Sequence, residues 1–112
     1  HIEQSLTPRF PDVELVDLRE AWLGLLKKAQ LKQHHKISRE ELSVREHMSM
    51  VLRRLQGQRF VEFEHLFDPS RGSQVLVVTF IALLELAKEM LVDITQATPY
   101  APIYVRLAYQ PS

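Results

Sequence analysis

The sequence contains no cysteine and only three glycines among its 112 residues. Without cysteine the chain has no disulfide, no thiol nucleophile and no zinc–thiolate site. The glycines do not form a glycine-rich phosphate loop, and no nucleophile elbow is present. We therefore predict that the protein is not an enzyme and that it uses no cofactor and no metal.

An excess of charge of one sign is also lacking. Fourteen Lys and Arg residues balance fourteen Asp and Glu residues, so the formal net charge is zero. Many nucleic-acid-binding domains are strongly basic, whereas disordered chains combine low hydrophobicity with high net charge. With 46% hydrophobic residues, the composition predicts a folded globular domain, and the length allows one domain with an arm.

A long uninterrupted hydrophobic run is lacking too. Residues 75–84 contain a single polar residue, Thr79, but Glu85, Lys88 and Glu89 follow. The run is shorter than the ~20 apolar residues of a membrane span. We predict instead a core helix over residues 70–91, capped by either Ser70 or Ser73. Its apolar residues cover two sides, namely Val77, Phe80, Ile81, Leu84 and Leu91 on one, and Val75, Val78, Ala82 and Leu86 on the other. Such a helix needs cover on more than one side, from its own domain or from a partner.

A helix is also predicted near the N-terminus, with Asp12 as its N-cap. Acidic residues are concentrated at its start and lysines at its end, which matches the helix dipole. Trp22 on its apolar stripe either packs on the main domain, the interpretation we favour, or docks on another chain. The stripe consists of Leu15, Leu18, Trp22, Leu25, Leu26 and Ala29, of which Leu18, Trp22 and Leu25 are the candidate packing residues of the arm.

The segment Ser43-Val44-Arg45-Glu46 is a capping box and predicts the start of another helix. Gly57 suits its C-terminal end. The predicted buried stripe of this helix is Val44, Met48, Val51, Leu52 and Leu55. Outside the stripe lie His47, Met50 and Arg54, which we expect to be exposed.

The remaining segments predict short elements. Residues 59–62 form a strand or turn, and residues 62–67 a short helix with Phe63, Leu66 and Phe67 turned inward. Two alternating segments, residues 92–96 and 103–108, predict a hairpin with a proline-containing loop. Its core-facing residues are Ile94, Ile103, Val105 and Leu107, and its outward residues are Tyr104 and Arg106.

The order helix, short strand, short helix, long helix and hairpin is typical of a winged helix. The predicted class is therefore mainly α with a small β-hairpin (α+β), preceded by an extra N-terminal helix. We divide the chain into an extended lead-in (1–11), a helical arm (12–33), a basic linker (34–42) and a winged-helix domain (43–109). The third helix of a winged helix usually reads the major groove with polar side chains. Here that helix offers Arg71, Gln74 and Lys88 only near its ends, which favours a protein partner over DNA.

Three segments in this order resemble a known family. VVTFIALLELAKEMLVDITQ followed by PYAPIYV resembles the C-terminal domain of segregation and condensation protein A, the bacterial kleisin. HKISREELSVREHMSMVLRRL resembles the stretch that precedes it in that family. The chain departs from the family at Tyr100-Ala101, where Phe-Gly is usual. Because alanine adopts positive φ only at a cost, we expect a different turn there.

The resemblance implies a non-enzymatic subunit of the bacterial condensin complex, which is cytoplasmic and nucleoid-associated and serves chromosome condensation and segregation. In this family the C-terminal winged helix docks on the ATPase head of a structural-maintenance-of-chromosomes (SMC) protein. The middle region, whose end the arm would be, binds segregation and condensation protein B, and DNA is contacted only through the complex. Carried over to this sequence, the head contact falls on His47, Met50, Arg54, Tyr104 and Arg106.

Two alternatives remain open from the sequence. The first is a winged-helix DNA-binding transcription regulator, whose affinity for duplex would fall steeply with salt. The second is a self-associating scaffold in which the arm of one chain covers the long helix of another.

Overall fold

The computed structural model describes residues 12–32 and 42–109. The predicted lead-in and all of the predicted basic linker except Leu42 lie outside these ranges. The elements are α1 (Leu15–Lys32), α2 (Val44–Leu55), β1 (Val61–Glu62), the 3-10 helices η1 (Phe63–Leu66) and η2 (Pro69–Arg71), α3 (Ser73–Lys88), β2 (Val92–Gln96) and β3 (Ile103–Leu107). Within the described ranges, no helix combines the length and the apolar character needed to cross a membrane.

The strands form one antiparallel sheet of three strands in the order β1-β3-β2. Val105 on the central strand lies opposite Val61 of β1 and Ile94 of β2. The sequence predicted the β2–β3 hairpin and a strand or turn at residues 59–62, but not the pairing of β1 with β3. The predicted α+β class is confirmed. From α2 onwards the elements follow in the order helix, short strand, short helices, long helix and hairpin, which is the order from which a winged helix was predicted.

The core lies between α2, α3 and the inner face of the sheet. Leu55 of α2, Leu83 and Leu86 of α3, and Val105 of β3 have no exposed surface. Phe63 of η1 is also buried, as predicted from its position in the short helix. Close packing of these side chains holds α2 and α3 in fixed positions and so fixes which of their faces remain available to a partner.

Helix α1 packs on the rest of the same chain. Leu18, Leu25 and Ala29 are buried, and the Trp22 ring is stacked on Phe80 of α3, with ring centroids 4.3 Å apart and an interplanar angle of 10°. Phe67 completes the aromatic cluster, with its centroid 6.1 Å from that of Trp22. The structure therefore places the candidate packing residues of the arm inside the chain's own core.

The prediction that Asp12 caps this helix is wrong. The helix begins at Leu15, while Asp12 forms an antiparallel β-bridge with Thr95 at the edge of the sheet. The Glu14 amide, at the start of the helix, donates instead to Oε1 of Gln96 on β2 (3.2 Å). A distant side chain performs the capping, and local sequence signals for helix caps do not reveal it.

Gln96 connects α1 to the loop between β2 and β3. Its side chain is 3% exposed, and its Nε2 donates to Oδ2 of Asp17 (2.9 Å) and to the Ala101 carbonyl (2.9 Å). The same Asp17 oxygen accepts the Tyr100 amide (2.8 Å). Positive φ in this loop falls on Tyr100 (φ 69°) rather than on Ala101. Bonds from Asp17 and Gln96 thus fix both the arm and the turn at Tyr100-Ala101.

Helix α3 is shorter than predicted at both ends. Ser70 belongs to η2, where its amide donates to the Asp68 carboxylate (3.0 Å), and Gly72 (φ 97°) precedes the first helical residue, Ser73. At the other end Met90 has φ 62°. The Leu91 amide donates to the Leu86 carbonyl (2.9 Å) and the Met90 amide to the Ala87 carbonyl (3.0 Å). These two bonds form a Schellman motif with methionine where glycine is usual.

Replacing Gln96 by leucine tests whether its amide group holds the arm. Gln96→Leu leaves the Glu14 amide, the Asp17 carboxylate and the Ala101 carbonyl with one partner fewer, and we expect a loss of roughly 1–3 kcal/mol in unfolding free energy. Urea denaturation followed by fluorescence measures this loss, because Trp22 is the only tryptophan. Gln56→Leu, at an exposed glutamine, is the control and should change stability by less than about 0.5 kcal/mol. Equal stabilities of the two variants would contradict the assigned role of Gln96.

Met90→Gly should stabilise the protein, because glycine adopts the left-handed conformation without steric cost. The expected gain in unfolding free energy is about 1 kcal/mol. Met50→Gly, in the interior of α2, is the matched control and should lower stability by about 1 kcal/mol. Thermal unfolding monitored by circular dichroism measures both, and a decrease for Met90→Gly would show that Met90 is unstrained.

Candidate protein-binding surface

The first group of predicted contact residues lies on α2. The Ser43 hydroxyl accepts the Glu46 amide (3.2 Å), so the helix starts where the capping box predicted. Val51 and Leu55 are buried against the core. This orientation leaves Met50 42% exposed and Arg54 exposed one turn later, as the sequence predicted.

The expectation that His47 is exposed is wrong, because its side chain is 5% exposed. Its Nδ1 lies 2.8 Å from the Ser43 carbonyl oxygen, and its Nε2 is buried without a hydrogen-bond partner among the described residues. A helical wheel of α2 alone places His47 beside the buried stripe. Side chains from residues 66–71 and from the first turns of α3, about 20 to 30 positions away in sequence, line the same pocket as His47.

His47, Met50 and Arg54 come together in one pocket of about 150 Å³. Arg71 of η2 brings a second guanidinium group, and Asp68 a carboxylate. The remaining lining residues are Val51, Leu66, Val75 and Thr79. The pocket thus combines an apolar wall, a flexible thioether and two cationic side chains, which suits a protein side chain better than a DNA base edge.

The second group of predicted contact residues, Tyr104 and Arg106, does not line this pocket. Both side chains alternate with the buried Ile103 and Val105 and are half-buried on the outer face of β3. The Tyr104 ring is packed edge-on against Phe60, with a centroid distance of 4.7 Å. Arg106 Nε lies 3.6 Å from Asp93 Oδ2.

Phe60 is a candidate that the sequence analysis missed. It is 51% exposed and lies just before β1, two residues from Glu62. Glu62 pairs with Tyr104 across the sheet. In a strand, alternate residues lie on the same face, so Phe60 lies on the face of Glu62 and Tyr104, opposite to Val61. This alternation was the sequence signal that could have identified Phe60. A two-residue strand is too short for that signal to be decisive.

The exposed face of α3 is aliphatic. Val77, Ile81 and Leu84 are 41–46% exposed, whereas Phe80, which the sequence grouped with them, turns towards Trp22. Exposed polar side chains occur only towards the helix ends, at Gln74 and Lys88. This face offers few hydrogen-bond donors to base edges, and its contact with phosphates would be unfavourable.

A larger cleft of about 320 Å³ lies between α1, η1 and the β2–β3 loop. Four carboxylate side chains are among its lining residues, from Asp17, Glu20, Glu62 and Glu64. Over residues 12–32 and 42–109, no cluster of three or more His, Cys, Asp or Glu side chains could hold a metal ion. The negative charge makes this cleft unsuited to nucleic acid.

The sequence model of a protein family, segregation and condensation protein ScpA, matches residues 11–108. The chain belongs to the ScpA family. The match includes α1, so the N-terminal helix is part of the family's own sequence pattern. The family resemblance found in the sequence is thereby confirmed.

Curated members of the ScpA family align over most of this chain. Segregation and condensation protein A of Xylella fastidiosa is 44% identical over 96 residues, which cover 86% of this chain and 32% of that protein. The Coxiella burnetii protein of the same name is 40% identical over 96 residues, covering 86% and 36%. The Listeria monocytogenes protein is 39% identical over 99 residues, covering 85% and 39%. The chain spans about a third of the length of these relatives.

Proposed function

We propose that this chain is part of a non-enzymatic kleisin subunit that acts in chromosome condensation and segregation. Its winged-helix domain docks on the ATPase head of an SMC protein, and the assembled complex is cytoplasmic and nucleoid-associated. The observation that carries the proposal is the ScpA family match over residues 11–108. The physical support is that the exposed groups suit protein contacts better than DNA.

The proposed head-binding surface consists of Met50 and Arg54 on α2 with Tyr104 and Arg106 on β3. Methionine, arginine and tyrosine are enriched in protein interfaces relative to the rest of the surface. Met50 is exposed although it is apolar, and the Phe60–Tyr104 pair adds aromatic surface on the sheet. His47 contributes as a buried wall of the pocket and not as an exposed contact.

The arm is the proposed end of the region that binds segregation and condensation protein B. Because Leu18, Trp22 and Leu25 pack within the chain, they are not free to hold that partner. Among the side chains of α1 that the structure describes, the large apolar ones that are exposed are Leu15 (79%), Val16 (66%) and Leu23 (48%). We assign any contact of the arm with protein B to this exposed side.

Two other functions rank below the kleisin role. A DNA-binding regulator needs a polar or cationic reading helix, whereas the exposed face of α3 is aliphatic. A scaffold that exchanges arms needs an uncovered α3, whereas α1 already covers one side of α3 in its own chain. Self-association through the remaining aliphatic face is an outcome that light scattering at increasing concentration would reveal.

Calorimetric titration of this chain into the ATPase head of its cognate SMC protein tests the proposal. We expect saturable one-to-one binding. Met50→Arg places a charge in the apolar contact and should weaken binding by about tenfold or more, equivalent to ~1.4 kcal/mol. Met90→Arg is the matched control, because it makes the same change at an 81% exposed methionine outside the proposed surface. Circular dichroism checks that both variants are folded.

The same titration distinguishes the alternatives. Absence of heat with the head, together with salt-dependent binding to duplex DNA, would replace the kleisin role by DNA binding. Equal weakening by Met90→Arg and Met50→Arg would leave head docking in place but move the surface away from α2.

A further inference from the structure

A neutral imidazole at His47 has a hydrogen-bond acceptor without a partner among the described residues. Nδ1 lies 2.8 Å from the Ser43 carbonyl oxygen, and since a carbonyl only accepts, Nδ1 carries the hydrogen. In a neutral imidazole Nε2 is then an acceptor. It is buried and has no partner among the described residues, although buried polar atoms in folded proteins are nearly always hydrogen-bonded. An unpaired acceptor at this position suggests that a donor comes from outside the chain.

The pocket beside His47 has the size of one aromatic ring. Its volume is about 150 Å³, and apolar cavities of about this volume accommodate benzene. Met50, Leu66 and Val75 provide apolar wall, while Arg54 and Arg71 bring guanidinium groups to the same pocket. Arginine and methionine both interact favourably with aromatic rings.

We infer that this pocket is an anchor site for a tyrosine side chain of a protein partner. The phenol ring packs against Met50 and the two guanidinium groups, and its hydroxyl donates to His47 Nε2. The inference deepens the proposed function, on which it rests for the identity of the partner as the SMC head. In this site, His47 distinguishes a tyrosine of the partner from a phenylalanine, because it accepts a hydrogen bond from the hydroxyl group.

Other side chains fit the pocket less well. Phenylalanine has no hydrogen to donate, and an ionised carboxylate only accepts. Lysine or arginine would add a third positive charge beside Arg54 and Arg71, and the pocket has only the Asp68 carboxylate to balance the three. Serine and threonine leave the space for a ring unfilled, and the two-ring system of tryptophan is larger than benzene. Among side chains with one six-membered ring, only tyrosine has a hydrogen-bond donor at its far end.

Access to Nε2 requires a local movement, because the atom is shielded from solvent in the free chain. Met50, Arg54, Arg71 and Asp68 are the exposed side chains among the described lining residues, and the methionine and the two arginines are long and flexible. The proposed site therefore requires side chains of the pocket wall to move aside when the partner's tyrosine enters.

Titration of p-cresol, the side-chain analogue of tyrosine, into the free protein tests the inference. We expect saturable NMR shifts at the His47 ring and the Met50 methyl group. Affinity for p-cresol should exceed that for toluene by about 2- to 10-fold, the contribution of one hydrogen bond. In 4-methylanisole the oxygen carries no hydrogen, so this compound should bind no better than toluene. These comparisons use the unmodified protein and need no variant to fold.

His47→Phe should abolish the preference for p-cresol over toluene. This variant loses the bond from Nδ1 to the Ser43 carbonyl oxygen. The backbone amide of residue 47 still donates to that oxygen (3.2 Å), so we expect the start of α2 to remain folded. His65→Phe is the matched control, because the His65 side chain is 66% exposed, and it should keep the preference. In the complex, His47→Phe should weaken head binding by the same 2- to 10-fold, and His65→Phe should not.

Equal binding of p-cresol and toluene by the wild-type protein, or no saturable shift at His47, would overturn the tyrosine site. If the protein still binds the SMC head in that case, the tyrosine site is wrong but the proposed kleisin function stands. Saturable p-cresol binding at His47 without head binding would support the site while rejecting the SMC head as the partner.

Discussion

Helix α3 is apolar around most of its circumference, and the structure depends on the way this surface is covered. Helix α2 and the sheet cover one side, which buries Leu83 and Leu86 completely. Helix α1 covers another, where Trp22 stacks on Phe80. Burial of apolar surface contributes roughly 25 cal/mol per Å², so removing the arm would expose a large aromatic contact. The arm is thus an integral part of the packing of this domain.

The same arrangement limits what the domain can bind. The uncovered side of α3 presents Val77, Ile81 and Leu84, which lack the groups that recognise DNA bases. Contacts with a partner therefore depend on aliphatic, aromatic and arginine surface. The pocket beside His47 offers apolar and arginine surface together with a ring nitrogen that has no hydrogen-bond partner among the described residues. Apolar packing and a single directed hydrogen bond are a combination that favours a specific protein side chain.

Much of the fold could be predicted from the sequence because it depends on local patterns. The Ser43 cap and the alternation in residues 103–107 involve neighbours within four residues, and both agree with the structure. The short strand β1 was predicted only as a strand or turn and its pairing with β3 was not predicted, because two residues carry too little pattern. The end of α3 was placed too late, because Met90 adopts the left-handed conformation without the glycine that usually marks it. Among the candidate contacts, Met50 and Arg54 were correctly predicted to be exposed, whereas His47 was not.

The sequence by itself determined the α+β class, the order and approximate positions of the long helices, the balance of charge and the membership of the ScpA family. These follow from periodicity, local capping and similarity along the chain. Only the tertiary structure decided that α1 packs on its own domain, that Gln96 caps it and that His47 is buried. The hydrogen bonds that join α1 to β2 and its loop connect residues 79 to 83 positions apart. No local pattern encodes such contacts, because they exist only once the apolar surfaces of distant segments have packed together.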